Sequence, residues 1–396
     1  MDHEDHPAGS ARRGHPPGDD FGEGGRARVV DRTAVHRHAP DGHAAVDAAL
    51  DRILAHDMAG FAAPWAPDGT MTFPFAAPGS PRGVHAALGC GRDRRPGRHH
   101  RTPRPLEPAG GPAGVRPHRT GGGRPMTVLV TGATGTTGRR VADLLEAAGA
   151  DVRRAARSTS PRFDWLDPAT HDSAFEGAES LYLLPPLATP DPAPVLAPVL
   201  ERAVRRGLRR VVLLSAAAVE RGTPGLGAVQ DLVLDTVPEP SVLRPSWFTQ
   251  NLLGDHLTAR GLRAGELVTA TGNGRIPFVD AGDIAAVASA LLLAPAPPEP
   301  DVVVTGPAAL SYDDVCAVWT EVTGRPARHR PVTVSEMTAR LVADGMPADY
   351  AAVLAGLDGL IATGSQARTS DAVRRITGRD PRSVRDVLRE AYPARS

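Results

Sequence analysis

Three glycines at three-residue spacing, Gly132, Gly135 and Gly138, stand in the run Thr131-Gly132-Ala133-Thr134-Gly135-Thr136-Thr137-Gly138. Residues of this type at this spacing suit the binding of a pyrophosphate. The ligand must approach main-chain N–H groups at a helix N-terminus, and side chains in the turn would hold it away. In such a run the first glycine permits the tight turn, the second the close approach, and the third the packing of helix on strand. Further along, Arg153-Arg154-Ala155-Ala156-Arg157-Ser158 carries no acid until Asp164. An acid at that place would bind a ribose 2′-hydroxyl, whereas arginine offers a planar fork to a 2′-phosphate. Arg157 is therefore the expected 2′-phosphate residue, which favours NADP(H) over NAD(H); Arg153 and Arg154 read equally well as surface charge. Ser215 ends the apolar run Arg209–Ser215 and offers a hydroxyl, either to a reacting group or to local backbone.

What is missing narrows the chemistry further. The chain has no lysine, so all 45 basic residues are arginine. Schiff-base enzymes and P-loop nucleotidases are excluded, since both need a lysine amine at a fixed place. The Tyr-x-x-x-Lys pair of ordinary short-chain dehydrogenases is excluded too. Where it would fall, the chain reads Gly227-Ala228-Val229-Gln230-Asp231, and the four tyrosines (Tyr182, Tyr312, Tyr350 and Tyr392) lack lysine partners. Tyr182 is expected in a strand core.

These groups need elements to position them. Thr127–Val130 is an apolar, β-branched run suited to a buried parallel strand. A helix carrying Val141, Leu144 and Leu145 follows the glycines and ends at Gly149, and Asp151–Ala156 is a second strand. Further strands are expected at Ser180–Leu184, Arg209–Ser215, Ser241–Arg244 and Val302–Thr305, with a helix over Val195–Arg206. This alternation predicts an α/β protein with a Rossmann-type, doubly wound parallel sheet over 126–310. Ligands of such sheets bind beyond the carboxyl ends of the strands, which gathers Leu184, Pro185, Ser215, Ala216 and Pro245 around the cofactor. Residues 311–396 read as a helical, apolar substrate lid, with Ser311 a helix cap and Val315, Val318 and Trp319 a buried stripe. Cys316 is expected in the core.

The 396 residues balance 45 basic against 45 acidic side chains. Zero net charge argues against a general nucleic-acid or membrane-surface binder. Two cysteines build no disulfide framework and no metal site. No apolar run is long enough to span a membrane, and the polar opening is no signal peptide; a cytoplasmic protein is expected. Residues 1–44 are too polar to offset their ordering entropy and read as a disordered tail, with His3 and His6 solvated. Residues 91–125 are mostly arginine, glycine and proline. They fit a flexible linker, but fit better a coding region read out of frame, with Met126 the natural start of a separate protein.

Two family resemblances enter here. Residues 45–90, with Val46, Leu50, Ile53 and Leu54 at helical spacing and then Phe61, Trp65, Phe73 and Phe75, resemble the opening of a SnoaL-like domain whose remainder is absent. A longer resemblance covers 126–392. In order, TGATGTTG, FDWLDP, LYLLPP, VVLLSA, LRPSWFTQN and IPFVDAGDIAAVA resemble the NmrA-like atypical short-chain dehydrogenase/reductases, nearest to the ergot alkaloid reductase branch. That resemblance implies that Gly132, Thr134, Gly135, Thr136, Thr137 and Gly138 hold the pyrophosphate. It implies that Asp164 and Trp165, at the end of a third strand, lie against the adenine, with Leu184 and Pro185 near the nicotinamide-side ribose. Pro186, Phe248, Asn251 and the loop Gly274–Pro277 (Arg275, Ile276 and Pro277) would face the substrate. Asp280 and Asp283 begin a helix, where caps and charges stabilise without catalysing.

Reducing a ketone needs a proton donor for the developing alkoxide. An iminium needs none, and water can complete the reduction of a quinone. The leading expectation is an NADP(H)-dependent reductase of a small electrophile, with no metal. The alternative is a non-catalytic NADP(H)-sensing regulator with a protein partner. A SnoaL-like cyclase or hydrolase fusion is a weaker third.

Overall fold

The computed structural model describes residues 126–160, 162–186, 189 and 191–393. The expectations for 1–44, 45–90 and 91–125, the SnoaL-like fragment and His3 and His6 among them, lie outside the described residues.

The β-branched run forms β1 (Thr127–Thr131), buried along its whole length. After the glycine turn come α1 (Thr136–Ala147), β2 (Asp151–Ala155), a short α2 (His171–Phe175) and β3 (Ser180–Leu183). The alternation continues through α3 (Ala193–Arg205), β4 (Arg210–Leu214), α4 (Leu226–Thr236) and β5 (Glu239–Pro245). Next are α5 (Leu257–Ala264), β6 (Glu266–Thr269), α6 (Ala281–Leu293) and β7 (Asp301–Val304). The chain ends with α7 (Tyr312–Thr323), β8 (Arg328–Pro331), α8 (Val334–Ala343), α9 (Ala348–Ala362), α10 (Ala372–Thr377) and α11 (Val384–Ala391).

Six strands build one parallel sheet in the order β2-β1-β3-β4-β5-β7. The order reverses between β1 and β3, which opens a crevice at their carboxyl ends. The central strands β1, β3 and β4 are buried along their length and largely apolar, whereas the edge strand β2 carries Arg153 and Arg154 and is buried only at Ala155. Val128, Val130 and Tyr182 pack under α1, α6 and α10. Leu129, Leu181, Leu183, Val211 and Leu213 pack under α2, α3 and α4. A buried arginine ties the layers together. Nη1 of Arg210 donates to the carbonyls of Leu291, Leu292 and Ala294, capping α6, while Glu239 neutralises the guanidinium at 2.6 Å. A cation at a helix C-terminus complements the free carbonyls there.

Two expectations need correction. The third strand ending at Asp164 is reduced to one parallel bridge, Ala156 to Arg162. The chain there turns instead into a 3₁₀ turn (Pro168–Thr170), because the Asp167 carboxylate accepts the Ala169 N–H. The second is the helical region from 311 onward. It contains β8, which pairs in parallel with β6 as a separate two-stranded sheet. Arg-His-Arg-Pro has no apolar period to announce a strand. Pairing and the ion pairs of Arg328 and Arg330 with Glu266, at 2.8 and 3.1 Å, create it. The second core also reaches back before 311, joining Leu252, Leu262, Leu267, Ile276 and Phe278 to Tyr312, Val315, Trp319 and Leu388. Ser311 does cap α7, in a reciprocal box with Asp314, and Cys316 is buried in this core.

Candidate functional site

The crevice between β1 and β3 is closed by side chains at the strand ends. Thr131 Oγ1 donates to the Tyr182 carbonyl (2.9 Å) and accepts the Leu184 N–H (2.8 Å). Gly132 turns the chain at a φ of +62°, and a Cβ there would meet Leu184 Cδ2 at 2.2 Å. Gly138 is held as tightly: a Cβ would stand 2.2 Å from the Gly132 carbonyl oxygen. The first and third glycines therefore do what the spacing predicts, letting α1 start against the turn. Gly135 is the N-cap with an extended backbone, so its conformation alone does not demand glycine.

The N-terminus of α1 receives no side-chain cap, and its first turn has no acid. With no side-chain cap and no acid there, the positive end of the helix dipole suits an anion, so the residues fit a dinucleotide pyrophosphate. Tyr182 contributes in a way its place in the strand core did not reveal. Its buried hydroxyl donates to Thr137 Oγ1 (3.0 Å) and so pins the first turn of α1. Burial pushes that phenol's pKa well up, so it is a structural donor, not an acid for chemistry.

The three arginines after the turn have different roles. Arg153 donates to the carbonyls of Ser173, Ala174 and Glu176 at the end of α2. Arg154 pairs with Asp143 and Glu146 of α1 at 2.5 and 2.8 Å. Arg157, exposed beyond β2, has no hydrogen-bond or ion-pair partner among the described residues.

Asp164 and Trp165 sit in the turn that replaces the third strand. The Asp164 carboxylate accepts the Leu166 N–H and pairs with Arg162 at 3.3 Å. Trp165 is buried against Phe163, Phe175 and His171, and its indole N–H donates to the Leu184 carbonyl at 2.9 Å. Its ring is committed to the core; what it gives the crevice is a fixed Leu184. Pro185 is buried beyond β3 and Pro186 is half-buried.

A second depression opens at the carboxyl ends of β4 and β5. Ala216, Ala217, Ala218, Pro245, Ser246, Trp247, Phe248 and Asn251 line a small, open cleft with a cavity volume of about 10 Å³. Pro245, read from sequence as a cofactor neighbour, thus stands beside Phe248 and Asn251, read as substrate-facing. Ser246 and Trp247 were not foreseen, although both lie within the quoted motif. Neither the Ser246 hydroxyl nor the Asn251 carboxamide has a partner among the described residues. Every lining side chain is uncharged.

Ser215 is not in this cleft. It is fully buried, and its Oγ accepts from Gln230 Nε2 at 2.9 Å. Gln230 falls in the segment that lacks the Tyr/Lys pair, and it anchors α4 to the end of β4. The partner of Ser215 is therefore a side chain fifteen residues away, not the local backbone. The loop Gly274–Pro277 is also elsewhere. Ile276 bridges to Leu310 and is buried in the second core, Pro277 is buried, and exposed Arg275 pairs with Asp314 at 3.0 Å. The antiparallel bridge to Leu310 turns that loop toward α7.

Asp280 and Asp283 begin α6, as expected, and are buried. Asp280 accepts from Gln250 Nε2 (2.5 Å) and Arg382 Nη1 (3.0 Å), and Asp283 accepts the Arg382 N–H (2.7 Å). Burial, with the Asp280 charge beside it, pushes the Asp283 carboxyl up to about 6 despite the Arg382 N–H. Burial also pushes the Cys316 thiol up to about 11, which leaves it unreactive. No helix among the described residues is long and apolar enough to cross a membrane.

No family model matches the chain. It is 37% identical over 264 residues to the oxidoreductase YesF of Bacillus subtilis, covering 65% of this chain and 92% of that one. It is 37% identical over 281 residues to an agroclavine dehydrogenase of Claviceps fusiformis, covering 66% of this chain and 96% of that one. Among solved structures it is similar to an NADPH-dependent quinone oxidoreductase of Escherichia coli, complexed with NADPH. The TM-score is 0.60 and the identity 20%, over 67% of this chain and 100% of that one. It is also similar to NmrA, a negative transcriptional regulator in complex with NAD, with a TM-score of 0.54 and 16% identity over 68% of this chain and 96% of that one. The structural likenesses show the fold; the sequence relatives carry the relationship. With its Rossmann-type sheet and its glycine turn, the chain belongs to the NmrA-like atypical short-chain dehydrogenase/reductases, a nicotinamide-cofactor-binding family of oxidoreductases, in the branch of the agroclavine and festuclavine dehydrogenases.

Proposed function

We propose that this protein is an NADPH-dependent reductase of a small, planar electrophile. The observation that carries the reading is a cleft walled by small and aromatic side chains at the ends of β4 and β5, in the same sheet as an uncapped phosphate cradle at β1. The pyrophosphate would rest on the first turn of α1, from Gly132 to Gly138 including Thr134, Thr136 and Thr137. Arg157 would take the 2′-phosphate, being the arginine after β2 without a partner among the described residues. Leu184, Pro185 and Pro245 would flank the nicotinamide side. The bound cofactor supplies a hydride to the acceptor.

The chain's own residues then bind and orient the electrophile. Trp247 and the buried Phe248 form apolar parts of the wall, and Ser246 and Asn251 offer hydrogen bonds to a polar edge. Neither side chain is a strong acid, so an acceptor that takes its proton from water, or needs none, suits the cleft. In this reading the region 311–396 forms the lid on the substrate side. The sensing alternative is weaker, because the sequence relatives at 37% identity are named as an oxidoreductase and a dehydrogenase, while the likeness to the regulator is 16% and concerns the fold.

The test is a fluorescence titration of the full chain with NADPH and NADH, followed by NADPH oxidation with quinone and iminium acceptors. Tighter NADPH binding with turnover of either acceptor is the expected result. Binding without turnover of any acceptor would overturn the reductase reading and revive the sensor.

A further inference from the structure

The cleft lining is uncharged, but a charge stands directly behind it. Ala217, part of the wall, is fixed from both sides of its peptide: its N–H donates to the Pro245 carbonyl at 2.9 Å, and its carbonyl accepts from Arg244 Nη2 at 3.1 Å. The Arg244 guanidinium is mostly buried, and its Nε has no hydrogen-bond partner among the described residues. Its counter-charge, Asp301, lies at 3.2 Å on Nη1 and is 47% exposed. Water screens the exposed partner more than the buried one, so the pair presents its positive end to the cleft.

That arrangement discriminates between kinds of hydride acceptor. An uncharged quinone gains an electron pair with the hydride and becomes an anion until solvent protonates its oxygen. An iminium enters as a cation and leaves neutral. A positive charge behind the wall, with no acid lining it, favours the first course and opposes the second. We infer that Arg244 is a specificity-determining residue, acting through Ala217, which biases this cleft toward uncharged acceptors of the quinone class and against cationic iminium-type acceptors. The inference rests on the reductase reading above. It also departs from the simpler view that Arg244 is a strand residue holding β7.

The test compares menadione, an uncharged naphthoquinone, with an N-methyl dihydroisoquinolinium salt, a cationic iminium of similar size. The full chain and three variants are assayed with NADPH, and the ratio of kcat/KM for the two probes is read. Arg244→Gln removes a positive charge, and the quinone-to-iminium ratio falls about fivefold or more. Asp301→Asn removes the negative charge, and the ratio rises. Arg244→Lys keeps the charge, and the ratio stays within about twofold. A merely structural role would damage the wall in both charge-changing variants and move the ratio the same way, so the opposite signs are diagnostic. The ratio of Kd values for the same probes, by calorimetry with NADP⁺ present, is expected to move in the same directions without turnover. If Arg244→Gln fails to fold, Asp301→Asn against the wild type still decides the sign. A ratio that moves in one direction in both variants, or in neither, overturns the inference. A wild-type chain that reduces neither probe overturns the reductase reading, and the Kd ratio then decides this one.

Discussion

Gly138→Ala is the sharpest test of the phosphate cradle. The added Cβ would stand 2.2 Å from the Gly132 carbonyl oxygen and 2.8 Å from its carbon. Non-bonded heavy atoms rest at about 3.5 Å, so the contact is short by more than ~1 Å, and backbone rather than a flexible side chain meets it. Alanine is the better helix former by up to about 1 kcal/mol, an effect that opposes the clash. Overpacking of ~1–3 kcal/mol exceeds it if α1 must back away from the turn. The same displacement moves the N–H groups that face the pyrophosphate. A misfit of about 2 kcal/mol there corresponds to a roughly 30-fold weaker Kd for NADPH. Fluorescence titration measures the Kd and thermal unfolding the stability. Gly149→Ala is the control. It has a φ of +82° and no neighbour within 4 Å of its would-be Cβ, so it should cost stability of about 1–2 kcal/mol and leave the Kd unchanged. A Gly138→Ala chain with raised Tm and unchanged NADPH affinity would refute the reasoning.

Three further outcomes are expected. Arg157→Ala should weaken NADPH binding about tenfold or more and leave NADH binding within about twofold, since only the 2′-phosphate distinguishes them; equal losses for both would remove Arg157 from that role. Ser215→Ala should keep turnover within about threefold while lowering stability by ~1–3 kcal/mol, because buried Gln230 loses a partner; loss of turnover in a folded variant would return Ser215 to the chemistry. Asp283, whose carboxyl is pushed up to about 6, stays protonated in the folded chain while the unfolded chain already ionises near 4. Its contribution to stability is therefore greatest below pH 4, declines between about pH 4 and 6, and is lowest above. Asp283→Asn should flatten that decline and raise stability at pH 7 by ~2–3 kcal/mol, read from denaturant unfolding across the range; an unchanged pH profile would show that the burial is not felt.

The sequence alone determined the dinucleotide half of the fold. Glycine spacing, β-branched runs and helix caps are local signals, and each concerns residues that touch within a few positions or across one turn. Thr127–Thr131, the turn at Gly132, the packing at Gly138 and the cap at Ser311 were therefore legible. So was the family, because its motifs are continuous segments. What tertiary structure decided involves partners far apart in the chain. The Trp165 indole donates to the Leu184 carbonyl, Ser215 Oγ accepts from Gln230, and Arg275 pairs with Asp314, and none of these partners is announced by its neighbours in sequence. β8 was invisible because Arg328–Pro331 has no apolar period and becomes a strand only when β6 offers its backbone. Arg244 reads from sequence only as the last residue of a short strand. Only the folded arrangement of β5, Ala217 and Asp301 puts its charge behind the cleft, because burial and pairing decide what a charge can do, and neither is a property of sequence neighbours.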